Sequence, residues 1–77
     1  MEVTVNLISI FSKYMEGRIG NKIQVEDGAT VGSLAKELGL PEKYVRIVTV
    51  NGKQVGLDNP LSDGDVIFFF PPAIGGG

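Results

Sequence analysis

The segment DGDVIFFFPP, residues 63–72, decides the fold of this chain of 77 residues. Its run VIFFF is apolar at five successive positions, so a strand formed by it presents apolar side chains on both faces. Such a strand is typical of the middle of a sheet, where both faces are covered. Because neighbouring side chains alternate, we assign Ile67 and Phe69 to the face that a helix covers, and Phe68 and Phe70 to the other face.

Turn-forming residues lead into this strand. Asp63 and Gly64 are suited to setting its entry, and Asp58 and Asp65 add to an acidic group in the same region. The spacing of these carboxylates lacks the ligand run of a calcium loop. We therefore interpret the group as turn chemistry and predict no metal site.

One β-hairpin is predicted in each half of the chain. Residues 2–10 alternate apolar with polar side chains, which predicts a strand with one buried face, and residues 21–25 form its antiparallel partner. Residues 45–50 are apolar and β-branched enough for a third strand. The pair Asn51-Gly52 suits a two-residue type I′ turn, which would return the chain into a short strand over residues 53–55.

One helix is predicted between the hairpins, over residues 31–38. Thr30 is suited to its N-cap, and Gly39 can adopt the left-handed conformation that ends a helix. The spacing i, i+3, i+4, i+7 places four apolar residues on one helical face: Val31, Leu34, Ala35 and Leu38.

The order hairpin, helix, hairpin, strand predicts an α+β fold of the β-grasp (ubiquitin-like) type. In this plan a mixed sheet of four to five strands packs on one helix. If the first and last strands lie side by side and parallel, the last strand is central and the tail leaves from one end of the sheet. We predict one domain over residues 1–72 and a flexible C-terminal glycine tail over residues 73–77. Glycine has no Cβ, so this tail could enter a slot barely wider than the backbone.

Composition excludes several functions. The chain has no cysteine, which excludes thiolate nucleophiles and the thiolate ligands of an iron–sulfur cluster. It also has no histidine, the usual general base near neutral pH. The net charge is −2 and the lysines are scattered, so we expect no nucleic-acid partner. No apolar stretch approaches the roughly 20 residues of a membrane helix, and the N-terminus lacks the pattern of a signal peptide. We expect a cytoplasmic protein without a membrane partner.

With these elements placed, the chain resembles the MoaD/ThiS sulfur carriers, and MoaD, the small subunit of molybdopterin synthase, more than ThiS. The resemblance covers the whole chain and is most specific in its C-terminal third. It is carried by these motifs: Asn51-Gly52, Pro60-Leu61, Asp63-Gly64-Asp65, Phe69-Phe70-Pro71-Pro72 and the terminal Gly75-Gly76-Gly77.

The resemblance implies a carrier with no catalytic residues of its own and no bound cofactor. In that family a ubiquitin-activating-type adenylyltransferase uses ATP to adenylate the terminal glycine, and a sulfur donor carrying a persulfide converts it to a thiocarboxylate. Here the terminal residue is Gly77. In the MoaD pattern, two residues and then two terminal glycines follow the prolines. On that pattern the last residue here would be Gly76, which is therefore the alternative site.

The resemblance also implies a large subunit of molybdopterin synthase as the receiving partner. The tail residues Ala73, Ile74, Gly75 and Gly76 would enter that partner's pocket. We expect a docking surface beside the tail, composed of Phe68, Phe70, Pro71 and Pro72, with coverage by loops as the alternative for the two aromatic rings.

Other functions stay open at this point. Thiamine thiazole synthesis and tRNA thiolation are alternative destinations for the sulfur. A ubiquitin-like modifier would use the same activated terminus to form isopeptide bonds. A plain protein-binding module would tolerate loss of the glycines, and its glycine run would be a simple disordered end.

Overall fold

The computed structural model describes residues 1–8, 11, 14 and 21–71. These described residues form five strands and one α-helix, with a short 3₁₀ helix over Glu42–Tyr44 before the third strand. In chain order the elements are β1 (Glu2–Leu7), β2 (Lys22–Gln24), α1 (Val31–Glu37), β3 (Ile47–Val50), β4 (Lys53–Val55) and β5 (Val66–Phe70).

The sheet has the strand order β2-β1-β5-β3-β4, which confirms the predicted α+β β-grasp plan with five strands. The last strand, β5, is central: it runs parallel to β1 and antiparallel to β3. Both partners are long-range in sequence, and the apolar character of β5 on both faces reflects this central position.

The first hairpin is shorter than predicted. Strand β1 ends at Leu7 and not at residue 10, and the Ile8 carbonyl accepts a hydrogen bond from the amide of Phe11, three residues on, as in a turn. Phe11 is completely buried. Residues 9 and 10 lie outside the described part of the chain. Strand β2 covers three residues of the five predicted, and it pairs antiparallel with β1.

Helix α1 begins after Thr30, as predicted. The Thr30 hydroxyl accepts a hydrogen bond from the Ser33 amide at 3.2 Å, and the Ser33 hydroxyl accepts one from the Thr30 amide at 2.9 Å. These two bonds satisfy amides that a helix start leaves free. The helix ends at Glu37, with Leu38 as its C-cap, and Gly39 follows with φ +77°.

The prediction of a strand from residue 45 was wrong at its start. The amides of Tyr44 and Val45 donate to the carbonyls of Pro41 and Glu42, which forms the 3₁₀ helix, and β3 begins only at Ile47. Val45 is buried in the core, so its apolar character reflects packing and not strand pairing. The second hairpin has its predicted turn, with φ +54° at Asn51 and +85° at Gly52.

The core lies between α1 and one face of the sheet. Helix residues Val31 and Leu34 and strand residues Ile67 and Phe69 are all completely buried there. The assignment of Ile67 and Phe69 to the helix-covered face is confirmed. No polar or charged residue is buried among the residues that the structure describes.

Candidate functional site

The sheet face that α1 leaves uncovered carries the two remaining phenylalanines of β5. Phe68 and Phe70 are both half-buried and point to this face, as predicted. Their rings stack on each other with centroids 5.9 Å apart and an interplanar angle of 13°. Stacking covers one side of each ring and leaves apolar surface toward solvent.

Two isoleucines extend this apolar surface across three strands. Ile47 pairs with Phe70 in the β3–β5 ladder and is 41% exposed. On the other side, Ile8 follows the pair Leu7–Phe69 in the parallel β1–β5 ladder and is 36% exposed. We call Ile8, Ile47, Phe68 and Phe70 the outer apolar patch. Its position at one end of an open sheet face suits contact with another protein.

Polar residues border the patch along the same face. Asn6 and Thr49 flank Phe68 on the two neighbouring strands, and the Asn21 side-chain amide donates to the Asn6 side-chain oxygen at 3.0 Å. An apolar centre with a polar border is the usual composition of a protein interface.

The chain leaves the sheet at this patch. Strand β5 ends at Phe70, and Pro71 follows in a half-buried position outside the strand. Of the predicted docking residues, Phe68, Phe70 and Pro71 therefore lie together. Pro72 and the tail residues Ala73, Ile74, Gly75, Gly76 and Gly77 lie outside the described residues, so their predicted roles stay predictions.

A hydrogen-bond network fixes the opposite end of β5. The Asp65 carboxylate accepts one bond from the Asn51 side chain at 2.9 Å and another from the Ser62 amide at 2.8 Å. Asp63 accepts from the Glu2 amide at 2.7 Å, which joins the turn before β5 to the start of β1. Asp63 and Asp65 therefore act as hydrogen-bond acceptors at the turns, in agreement with the prediction of turn chemistry, and Asp58 lies in the turn after β4.

The described part of the chain offers little to a small ligand or metal. No group of three or more potential metal-ligating side chains occurs among the described residues. A groove of about 470 Å³ lies on the helix side, between α1, the 3₁₀ helix and Leu57, and it contains one charge of each sign, Lys36 and Glu42. It lies on the covered side of the sheet, away from the outer apolar patch.

Sequence reasoning missed Ile8 and Ile47 as members of the patch. For Ile47 the signal was present, because alternation with the inward residues Val48 and Val50 places it on the same face as Phe70. For Ile8 the predicted strand ran too far, which concealed that this residue stands at the strand's end.

A sequence profile of the ThiS family matches residues 8–76, which is most of the chain. The chain belongs to the ThiS family. No curated protein sequence matches it significantly. Among the described residues, no helix has the length and apolar character to cross a membrane.

Solved structures agree with the ThiS-family assignment. A putative molybdopterin converting factor, subunit 1, from Pyrococcus furiosus is 27% identical with a TM-score of 0.70, over 95% of this chain and 99% of that one. The HVO 2177 protein of Haloferax volcanii is 26% identical with a TM-score of 0.74, over 97% of this chain and 86% of that one. SAMP1 of Haloferax volcanii, at 21% identity over 97% and 99% of the chains, shares the fold with a TM-score of 0.66.

This ThiS-family chain is therefore a small ubiquitin-like protein of the MoaD/ThiS carrier type. Its one described feature with the properties of a binding site is the outer apolar patch, at the end of the central strand from which the C-terminal residues continue.

Proposed function

We propose that this protein is a sulfur carrier whose C-terminal carboxylate is converted to a thiocarboxylate for molybdopterin synthesis. The reactive residue is Gly77, with Gly76 as the alternative. The observation that carries the proposal is the junction of β5 with the outer apolar patch: the segment leading to the terminal glycines begins at Phe70, inside the surface suited to bind a partner.

A carboxylate is a poor electrophile, so the C-terminal carboxylate must be activated before sulfur can be attached to it. A ubiquitin-activating-type adenylyltransferase would join the terminal carboxylate to the AMP part of ATP and release pyrophosphate. The outer sulfur of a donor protein's persulfide would then attack the carbonyl carbon and displace AMP. A second thiol would cleave the resulting acyl disulfide bond, leaving the thiocarboxylate on the carrier and a disulfide on the donor side.

The amino-acid composition of the carrier fits a reaction that its partner enzymes catalyse. It contains no histidine and no cysteine, so the partner enzymes would supply ATP, the sulfur and the groups that move protons. The carrier would supply a docking surface and a slender terminus. Binding through the patch would hold the terminus at the partner's reacting groups, which converts an encounter between molecules into a step within one complex.

The proposed acceptor is the large subunit of molybdopterin synthase. The resemblance to MoaD at Phe69-Phe70-Pro71-Pro72 supports this choice, as does the similarity to the Pyrococcus furiosus protein described as a molybdopterin converting factor subunit. A ThiS-like role in thiamine thiazole synthesis and a role in tRNA thiolation are the alternative destinations.

A second candidate is a ubiquitin-like protein modifier. It is supported by the shared fold with a small archaeal modifier protein of Haloferax volcanii, which is 20% identical with a TM-score of 0.68. Both candidates need an activated C-terminus. They differ in the product, since a modifier forms stable isopeptide bonds to lysines and a carrier does not.

Mass spectrometry of the intact chain tests the proposal. After incubation with the adenylyltransferase, ATP and a persulfide donor, we expect the C-terminal peptide to gain about 16 Da, the difference between sulfur and oxygen in the activated carbonyl group. The gain on a peptide ending at Gly77 identifies that residue, and a gain only after removal of Gly77 identifies Gly76. Deletion of Gly76 and Gly77 is the control, and an unaffected pathway in that variant would contradict both chemical functions.

A further inference from the structure

Successive residues of β5 direct their backbone polar groups to different neighbouring strands. The Phe69 carbonyl accepts a hydrogen bond from the Ile8 amide at 3.2 Å, so the odd-numbered residues face β1. The Val66 carbonyl accepts one from the Asn51 amide at 2.8 Å, so the even-numbered residues face β3. A strand in the middle of a sheet alternates in this way because both of its edges are paired.

The first position after β5 is Pro71, and it would face β1. The Ile8 amide donates to the carbonyl of residue 69, so the next bond of the parallel ladder would run from the amide of residue 71 to the Ile8 carbonyl. Proline has no amide hydrogen, so this bond cannot form. The Ile8 carbonyl accepts a hydrogen bond from the Phe11 amide at 3.1 Å instead. The ladder with β1 therefore stops at Phe69.

The second position after β5 would face β3. Ile47 pairs with Phe70 in the antiparallel ladder, and the same register continued by two residues would bring residue 72 opposite Val45. Residue 72 is also proline, so it has no amide hydrogen to donate to the Val45 carbonyl. The reciprocal bond is unavailable too, because the Val45 amide already donates to the Glu42 carbonyl at 3.1 Å. The ladder with β3 therefore stops at Phe70.

We propose that Pro71 and Pro72 are positioning residues that release the C-terminal segment from both ladders of the central strand. One proline would end a single ladder, because consecutive residues face opposite neighbours, whereas two consecutive prolines end both. The terminal residues then need not be detached from the carrier's own sheet before a partner binds them. The release occurs beside Phe70, at the edge of the outer apolar patch.

This inference rests on the proposed function, because it treats the C-terminus as the reacting group. A carrier whose terminal segment pairs with its own sheet must break those hydrogen bonds before the terminus can enter the adenylyltransferase. If only about a tenth of such molecules are released at any time, the apparent dissociation constant rises about tenfold. The net strength of one or two backbone hydrogen bonds is sufficient for a population of this size.

The first measurement uses the carrier alone. Pro71→Ala, by itself and combined with Pro72→Ala, introduces an amide at position 71. We expect this amide to exchange with solvent about tenfold more slowly than in an unfolded peptide. A scalar coupling between its nitrogen and the Ile8 carbonyl carbon in NMR spectra would identify the acceptor of the hydrogen bond. Thermal unfolding of the same samples establishes that each variant is folded.

The second measurement is the kinetics of activation, followed by exchange of pyrophosphate into ATP with the ubiquitin-activating-type adenylyltransferase of the same genome. For the double variant we expect KM to rise about tenfold and kcat to stay within about twofold of wild type, because the restored bonds oppose binding and are broken in the complex. Each single variant keeps one proline, so we expect a smaller rise. Pro60→Ala is the matched control: Pro60 is exposed and lies outside the five strands, so both constants should stay within about twofold of wild type.

The two measurements separate the possible failures. An amide at position 71 that exchanges as fast as in an unfolded peptide would overturn the inference even if KM rises, since the prolines would then act through stiffness alone. An unchanged KM in the double variant, or an equal rise in Pro60→Ala, would overturn it as well. If wild type supports no pyrophosphate exchange, the proposed activation is wrong, while amide exchange in the carrier alone still decides whether the prolines release the segment from the sheet.

Discussion

Asn51 binds both backbone polar groups of Val66. Its side-chain oxygen accepts a hydrogen bond from the Val66 amide at 2.9 Å, and its backbone amide donates to the Val66 carbonyl at 2.8 Å. The side-chain amide of Asn51 donates in addition to Asp65. One turn residue thus holds the beginning of β5, the strand that directs the chain to the outer apolar patch.

Substitution of Asn51 is predicted to reduce stability through two separable effects. Asn51→Gly removes the side-chain bonds but keeps the positive φ of +54°, so we expect a loss of about 1–2 kcal/mol from two exposed hydrogen bonds. Asn51→Ala adds the strain of a left-handed residue with a Cβ, about 1 kcal/mol more. Urea unfolding measures both values. An Ala variant as stable as the Gly variant would show that the turn relaxes to another conformation.

Gly32 is predicted to resist substitution although it lies in a helix. Its amide donates to the Leu57 carbonyl at 2.7 Å, and a Cβ at this position would lie 3.1 Å from the same oxygen. Ala raises helix propensity by up to about 1 kcal/mol, but here it would push apart a bonded pair of backbone groups. We therefore expect Gly32→Ala to lower the free energy of unfolding, by about 1 kcal/mol net.

The control for Gly32 is the exposed helix position Lys36. The difference in stability between Lys36→Ala and Lys36→Gly in chemical unfolding gives the helix-propensity difference between Ala and Gly, and subtracting it from the effect of Gly32→Ala isolates the contact with Leu57. If Gly32→Ala is more stable than wild type, the loop at Leu57 moves away from the new Cβ without a loss of stability.

The sequence was sufficient to predict the central position of β5, because few positions in a sheet other than the middle suit a run such as VIFFF. Side chains that are apolar on both faces require a central strand, and only the single helix was available to cover one face. The alternation of side chains within β5 is then enough to place Phe68 and Phe70 on the open face.

Sequence patterns could not predict the contacts between residues that are distant in the chain. The role of Gly32 depends on the approach of Leu57, and the bond from Asn51 to Asp65 spans the turn between two strands. The 3₁₀ helix at Glu42–Tyr44 was hidden because Val45 is apolar for core packing, and an apolar residue before a strand looks like part of the strand.

Ile47 offers a test of the patch outside the core. It is 41% exposed, so Ile47→Asp loses less buried area than a core substitution would, while it places a charge against Phe70 at the centre of the proposed contact. We expect binding to the adenylyltransferase to weaken about tenfold or more. Leu57→Asp is the matched control, since Leu57 is 38% exposed on the helix side. Equal effects of the two changes would exclude a specific role of the patch.

Phe70 and Phe69 are adjacent in sequence and are predicted to have opposite phenotypes. Phe69 is completely buried, so Phe69→Ala should cost about 3–5 kcal/mol of stability, whereas half-buried Phe70 should cost about 1–2 kcal/mol on change to Ala. Phe70→Ala also removes the ring that stacks on Phe68, and we expect it to weaken partner binding about tenfold. Thermal unfolding and calorimetry on the same samples distinguish the two effects. A loss of stability for Phe70→Ala as large as that for Phe69→Ala would assign Phe70 to the core and remove the centre of the docking surface.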